Sequence, residues 1–284
     1  MGGSAEHAVA EAFAAMVGQE IDDERIDLLR AALVIARTEY PTLDPEPYVL
    51  HVKRLADRVA RRVRDVGDPA QSIAALNGVL FQEEGLRGNR ENYYDPRNSF
   101  LNDVLDRRLG IPITLALLYM EVARRVGFPL FGVGMPGHFL LKHYDVEGRQ
   151  VLIDAFNNGH ILSPKECQRR VDQIYSGQLT FQPEFLMPVS RRQMLTRVLN
   201  NLKTIYLSSR NFRKALAIVD LVLVIYPRSP EDVRQRALLR YSLGNLVGAA
   251  SDLEDYLKMS PEASDADEIR QTALSIRRTL ALMN

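Results

Sequence analysis

The feature that most constrains this chain is a change of hydrophobic period at Gly127. Before it, ITLALLYMEVARRVG is apolar on nearly every face and predicts a buried helix, with Pro112 where a first-turn proline belongs. After it, FPLFGVGM, HFLLKHY and RQVLIDAF are short apolar runs with turn residues between them, and predict strands. The turn DVEG joins the last two as an antiparallel hairpin. An α+β core with a small antiparallel sheet follows from this pattern.

Both flanks read as helical. Upstream, DDERIDLLRAALVIARTEYP has an acidic first turn and a stop at Pro41. EPYVLHVKRLADRVARRVRDV carries Lys53, Arg54, Arg58, Arg61, Arg62 and Arg64, but these alternate with Leu55, Val59 and Val63 and are diluted by Glu46, Asp57 and Asp65. They read as a solvated helix face rather than a nucleic-acid patch. PAQSIAALNGVLFQEEG is a third helix with a glycine stop. In NYYDPRNSFLNDVLDRRLG, Asp95-Pro96 marks a turn, Asn98 or Ser99 caps a short helix, and Gly110 ends it. Ser163, Pro164 and Glu166 form a capping-box signature, and Pro183 and Pro188 bracket a boundary.

Composition excludes several classes. Lys+Arg and Asp+Glu both number 36, so the net charge is zero, which argues against a whole-chain binder of nucleic acid or a membrane surface. No apolar run approaches the ~18 residues of a membrane span. The N-terminal stretch MGGSAEHAVAEAF lacks the basic-then-apolar order of a signal peptide, and Glu6 stands where a myristoylation motif needs Ser or Thr. The single cysteine, Cys167, forms no internal disulfide, which makes a reducing cytoplasm the expected compartment. No GxGxxG or P-loop points to a nucleotide, and no cofactor is expected.

From Ser190 onward a repeat emerges. Leu199, Leu202, Tyr206, Ala215 and Pro227 match the tetratricopeptide spacing, and Ala249 and Pro261 lie 34 residues after Ala215 and Pro227. The second unit fits poorly at Val233, Arg236 and Arg240 and rests on Ala249, Leu253, Tyr256 and Pro261. Residues 185–219 carry seven basic residues and no acid: Arg191, Arg192, Arg197, Lys203, Arg210, Arg213 and Lys214. Residues 252–268 carry seven acids and one lysine. Either an acidic peptide docks on the basic stretch, or the two blocks neutralise each other.

One pair of residues stands out for chemistry. In a hairpin centred near Val146, His138 and Asp154 are directly opposed. A carboxylate beside an imidazole is the second half of a nucleophilic triad, and equally a buried pair that only holds a hairpin. His143 falls on the opposite strand face from His138, and His160 lies seventeen residues beyond it, so no metal site is expected.

This constellation resembles the transglutaminase-like superfamily, with its papain-like core. That resemblance implies a cysteine at the start of the buried helix, a histidine at the start of a strand and an aspartate on the next. Carried onto this chain, the nucleophile position is Pro112, the histidine His138 and the aspartate Asp154. NYYDPRNSFLNDVLDRRLGIPITLALLY, PGHFLL, LIDAF and LSPKEC, with the repeat tail, resemble a bacterial branch that joins this core to tetratricopeptide repeats. Its members are described as regulators of invasion-gene synthesis, and a related core occurs in an animal F-box protein. The likeness covers roughly residues 25 to 265, and the chain reads Asp154-Ala155-Phe156 where the branch commonly reads Asp-Pro-Phe.

Proline has neither a nucleophilic side chain nor a backbone N–H for an oxyanion, so cysteine-type acyl transfer from position 112 is excluded. Thr114 points away around the helix, Ser99 and Asn98 are read as caps, and Cys167 is read as an ordinary thiol. Asp95, Arg97, Asn98 and Asn102 are the expected rim of a cleft, while Asp106, Arg107 and Arg108 read as a structural ion network.

The expected layout is an N-terminal helix over residues 1–24, a transglutaminase-like core over 25–185 and a repeat domain over 190–284. The expected role is a non-catalytic protein-interaction or regulatory module that binds a protein or peptide through the tail. The alternative is a hydrolase or acyl transferase that uses His138 and Asp154 with a water or a nucleophile from elsewhere.

Overall fold

The computed structural model describes residues 2–19 and 21–283. In chain order the elements begin with helices α1 (Gly2–Val17), α2 (Leu28–Ala36), α3 (Glu46–Ala60) and α4 (Pro69–Asn77). Then come β1 (Arg87–Gly88), α5 (Leu101–Arg107), β2 (Leu109–Gly110) and α6 (Pro112–Arg125). The sheet strands are β3 (Phe131–Val133), β4 (Leu140–Tyr144), β5 (Gln150–Asp154) and β6 (His160–Leu162), followed by α7 (Pro164–Tyr175). Five helices complete the chain: α8 (Arg191–Ser208), α9 (Phe212–Ile225), α10 (Pro230–Ser242), α11 (Leu246–Met259) and α12 (Ala266–Met283).

Two compact units result. One spans Asp22–Val198; the other joins residues up to Ile21 with those from Leu199 onward, so the division falls within α8. Of the N-terminal segment expected over 1–24, the residues up to Ile21 group with the repeats, while residues 22–24 lie in the first unit. The reason is the apolar stripe Val9, Phe13 and Val17, which is buried on a helix that packs against α9.

In the first unit, β3-β4-β5-β6 form an antiparallel meander. Alternation puts Val133, Leu140 and Leu152 on one face, where Cys167 and Val171 of α7 close a core with Met135, Leu162 and Leu186. On the other side α6 packs against β3 and β4, and every residue from Pro112 to Ala123 is buried. The all-round apolar sequence of α6 is thus explained by its being enclosed. Burying one such leucine contributes about 2 kcal/mol.

Local chemistry sets the boundaries, with some departures from expectation. The Asp23–Arg25 acidic stretch is a separate 3-10 turn, and Asp27 caps α2 by accepting from the Arg30 N–H at 3.0 Å. That helix leaves its ladder at Ala36, ahead of Pro41. Phe100 is the N-cap of α5 with no side-chain bond, so neither Asn98 nor Ser99 caps it. The same helix ends at Arg108, which adopts the left-handed conformation at φ 62°. Gly110 instead pairs with Gly88 in a two-stranded parallel ladder. Ser163 and Glu166 form the expected capping box: the Glu166 N–H donates to Ser163 Oγ at 3.3 Å, and the Ser163 N–H donates to Glu166 Oε2 at 2.8 Å.

In the second unit, α9, α10, α11 and α12 pack successively on one another. Leu199, Leu202, Tyr206, Ala215, Ala249, Leu253 and Tyr256 are buried, as the repeat spacing requires. The misfit at Arg236 and Arg240 has a physical cause. Asp252 is buried on α11 and accepts from Arg236 Nε at 3.0 Å, Arg236 Nη2 at 2.7 Å and Arg240 Nη1 at 2.8 Å. An ion cluster occupies helix positions where the repeat pattern has small or apolar residues.

Candidate functional site

The candidate site lies at the end of the sheet, where β4 begins and β5 ends. The expected hairpin forms with a shifted register. Leu141 pairs with Ile153 and Tyr144 with Gln150, which puts Asp154 level with Leu140 and not with His138. His138 lies two residues before that point, outside the strand. The shift is by an even number, so both side chains keep to one face and meet diagonally. His138 Nε2 lies 3.0 Å from Asp154 Oδ1.

A third residue, missed in the sequence, completes the cluster. Arg170 on α7 donates through Nη1 to His138 Nε2 at 3.0 Å and also binds Asp154 Oδ2. Asp154 further accepts from Asn157 Nδ2 at 2.6 Å and from the Asn157 N–H at 3.2 Å. The carboxylate is fully buried. Burial pushes its pKa up, but His138, Asn157 and Arg170 outweigh that and hold it at about 2. Helical spacing held the missed signal: Cys167, Arg170 and Val171 share one face of α7, so Arg170 faces the sheet beside two buried residues.

The aspartate's lowered pKa has a defined consequence for stability. Its folded value lies below the ordinary ~3.9 of an unfolded Asp. The contribution is fully present above about pH 4 and is lost as pH falls through about 2. The stability difference between the native chain and Asp154→Asn is therefore expected to shrink over that window. Urea midpoints near pH 5 and pH 2.5 check this, and a constant difference would contradict it.

Around the pair, Phe156 meets the His138 ring edge-on at 6.0 Å and 81°. The Arg90 guanidinium lies over the Phe156 ring at 5.4 Å and also binds Asn157. Gly88 is required here, since a Cβ on it would lie 2.5 Å from Phe156 Cε2. Behind the site, Asn77 Nδ2 donates to the Gly159 carbonyl at 3.1 Å, and Tyr119 Oη donates to Asn77 Oδ1 at 3.0 Å. Gly159 has φ 73°, and an added Cβ would lie 1.9 Å from Asn77 Oδ1.

Pro112 is the first residue of α6, and this helix packs on the 3-10 turn Ala155–Asn157 that follows Asp154. Thr114 is fully committed: its hydroxyl accepts the Ile111 N–H at 3.1 Å and donates to the Asn98 carbonyl at 2.8 Å. Cys167 sits in the apolar core beneath the sheet, where burial pushes its thiol up to about 11. His143 stacks on Phe128 and bonds the Pro129 carbonyl through Nδ1 at 2.9 Å. Among the described residues no three His, Cys, Asp or Glu side chains gather as a metal site.

The expected rim divides. Arg97 is exposed and binds Asp95, which also takes Arg107 Nη2 at 3.0 Å. Asn98 and Asn102 are buried and line no rim. Asn98 donates to the Asn92 carbonyl at 2.7 Å and accepts from Asn89 Nδ2 at 3.0 Å, tying the preceding loop together.

The tail residues scatter likewise. Arg191 and Arg192 give their backbone N–H groups to the Asp23 carboxylate at 2.7 and 3.0 Å. Lys203 pairs with Asp232 at 2.7 Å, and Lys214 lies over the Tyr206 ring at 5.6 Å. Arg197 is half-buried, while Arg210 and Arg213 are exposed. The acidic block binds other cations: Asp252 takes Arg236 and Arg240, Asp265 takes Arg234, and Glu254 takes Arg277.

The structure thus has a His–Asp pair at the end of a small sheet, beside a buried helix and followed in the chain by helical hairpins. The chain belongs to the transglutaminase-like superfamily, matched over residues 46–200, with a tetratricopeptide repeat matched over 202–273. It is 39% identical over 253 residues to a UPF0162 protein of Xylella fastidiosa, which covers 88% of this chain and 90% of the relative. A UPF0162 protein of Vibrio cholerae is 28% identical, over 88% of this chain and 92% of its own length. F-box only protein 21 of Mus musculus is 33% identical over 62% of this chain but only 28% of its own length, which confines the likeness to one part of that protein.

Proposed function

We propose that this protein is a non-catalytic transglutaminase-like protein, a protein-interaction and regulatory module of the kind described for invasion-gene regulators. The observation that carries the reading is Pro112 at the helix start where the superfamily resemblance calls for a cysteine. No side-chain nucleophile exists at that residue, and its backbone nitrogen has no proton for an oxyanion. Cys167 is no substitute, since its thiol is buried and its pKa raised. The lone cysteine fits a reducing cytoplasm, and no described helix is long and apolar enough to cross a membrane.

Binding falls to the repeats, and within the basic stretch to Arg210 and Arg213. These are exposed, and no carboxylate pairs with them among the described residues. An acidic peptide is the partner such a surface attracts. A hydrolytic reading keeps one observation in its favour: His138 Nδ1 makes no hydrogen bond within the described structure.

To test the binding role, the full chain, His138→Ala and the Arg210→Glu/Arg213→Glu double variant would each be immobilised in cell lysate. Mass spectrometry would read the captured proteins. The expected partner is held by the first two and lost from the third. A partner lost with His138→Ala yet kept by the charge-reversed tail would place binding in the core and contradict the proposal.

A further inference from the structure

The second half of α6 borders a cavity that takes no part in the site at His138. Met120, Glu121 and Arg124 line it from that helix, about 12–18 Å along the axis from Pro112 at the helical rise. Leu130 lines it from the segment before β3, and Met194 from the first turn of α8. Every wall belongs to the unit Asp22–Val198. The cavity measures about 290 Å³. That is the lower edge of the ~300–1,000 Å³ of small-molecule sites, so it suits a small guest.

Met120, Leu130 and Met194 are buried and make its apolar wall. A Cβ at Gly132 would lie 2.9 Å from Met194 Sδ, so the bare backbone there admits the methionine. Thioether side chains adapt to irregular apolar guests. The polar groups are unevenly used. Asp23 accepts the backbone N–H groups of Arg191 and Arg192. Glu121 is buried and shared by two guanidinium groups, Arg124 through Nη2 at 3.1 Å and Arg125 through Nη1. Two cations on one carboxylate leave a positive charge uncompensated. Arg191 gives Nη1 to the Ile26 carbonyl at 2.7 Å and holds Nη2 3.5 Å from Glu24. Arg124 is half-exposed and makes one hydrogen bond among the described residues, although a guanidinium has five N–H donors. Asp23 and Glu121 are thus filled, Glu24 stands mostly in solvent, and the donors of Arg124 remain.

We propose that this cavity binds a small apolar carboxylate, its hydrocarbon body against Met120, Leu130 and Met194 and its carboxylate on Arg124. Removing the body from water supplies the affinity, and charge-assisted bonds from the guanidinium fix the head. A cationic guest meets Arg124 with no open acceptor beside it, and an uncharged guest leaves those donors to water. The site shares no residue with the His138–Asp154 pair or with Arg210 and Arg213, so it stands or falls apart from the proposed function.

The test titrates the full chain, carrying labelled methionine methyl groups, with octanoate below its micelle range and follows the methyl signals by NMR. Met120 and Met194 are assigned by the loss of their signals in Met120→Leu and Met194→Leu. Saturable shifts of both are expected with octanoate, and weaker binding with octanol and octylammonium. Arg124→Gln is expected to weaken octanoate about fivefold, the worth of one half-exposed charge-assisted bond. Glu121 keeps Arg125 in that variant, so the fold holds. The tail variant Arg210→Glu/Arg213→Glu is expected to bind octanoate as the native chain does. The proposal is overturned by the absence of saturable shifts at Met120 and Met194, or by octanol or octylammonium binding as tightly as octanoate. An unchanged affinity in Arg124→Gln, or a matching loss in the tail variant, overturns it as well.

Discussion

Asp154→Ala is expected to destabilise the core by about 3–5 kcal/mol, the usual cost of breaking a buried ion pair. Asp154 is fully buried and takes His138, Arg170 and Asn157 together. Removing it leaves the Arg170 charge at the edge of an apolar core, beside His138 and without the carboxylate that pairs with both. Most of the cost comes from that stranded cation rather than from the lost attraction. The double variant Asp154→Ala/Arg170→Met is therefore expected to recover part of the loss. Urea unfolding followed by circular dichroism measures both. A loss below about 1 kcal/mol for Asp154→Ala would mean that water already solvates the pair.

Asp252→Ala should be about as damaging in the repeats. The carboxylate is buried between α10 and α11 and holds Arg236 and Arg240, while Arg236 also reaches Asp220 at 3.4 Å. Burial pushes the Asp220 carboxyl up, against the pull of Arg236, so Asp220 is a poor replacement counter-ion. A cost of about 3–5 kcal/mol is expected for that unit, lessened when Arg236→Met is added. Each unit unfolds with its own cooperative transition if the two are energetically separate. Asp252→Ala should then lower the repeat transition and spare the core, and the converse should hold for Asp154→Ala.

Much of this architecture was legible because two strong periods were present. The change at Gly127 located α6 and the meander, and the 34-residue spacing located the hairpins. The His138–Asp154 pair was legible because an even register shift preserves the face of every side chain. Its partner Arg170 was not, since one arginine of Arg169-Arg170 looks like the other until helix spacing is combined with the sheet beneath it. Local signals misled in three places. Asn98 resembles a cap but is a buried loop tie, and Gly110 resembles a helix stop but is a ladder residue facing Gly88. The basic stretch at 185–219 resembles one surface, yet Arg191, Arg192 and Lys203 are spent on Asp23 and Asp232. Tertiary partners decide such residues, and a linear pattern does not contain them.

The proposed role requires that the His138–Asp154 pair persists without acyl-transfer chemistry. The most direct measurement incubates the full chain and His138→Ala, separately, with a cell extract. It compares covalent changes on extract proteins by mass spectrometry: deamidation, amide cross-links and hydrolysis. The account predicts identical profiles from the two chains. A modification made by the native chain and absent with a folded His138→Ala variant would show a live site and contradict it.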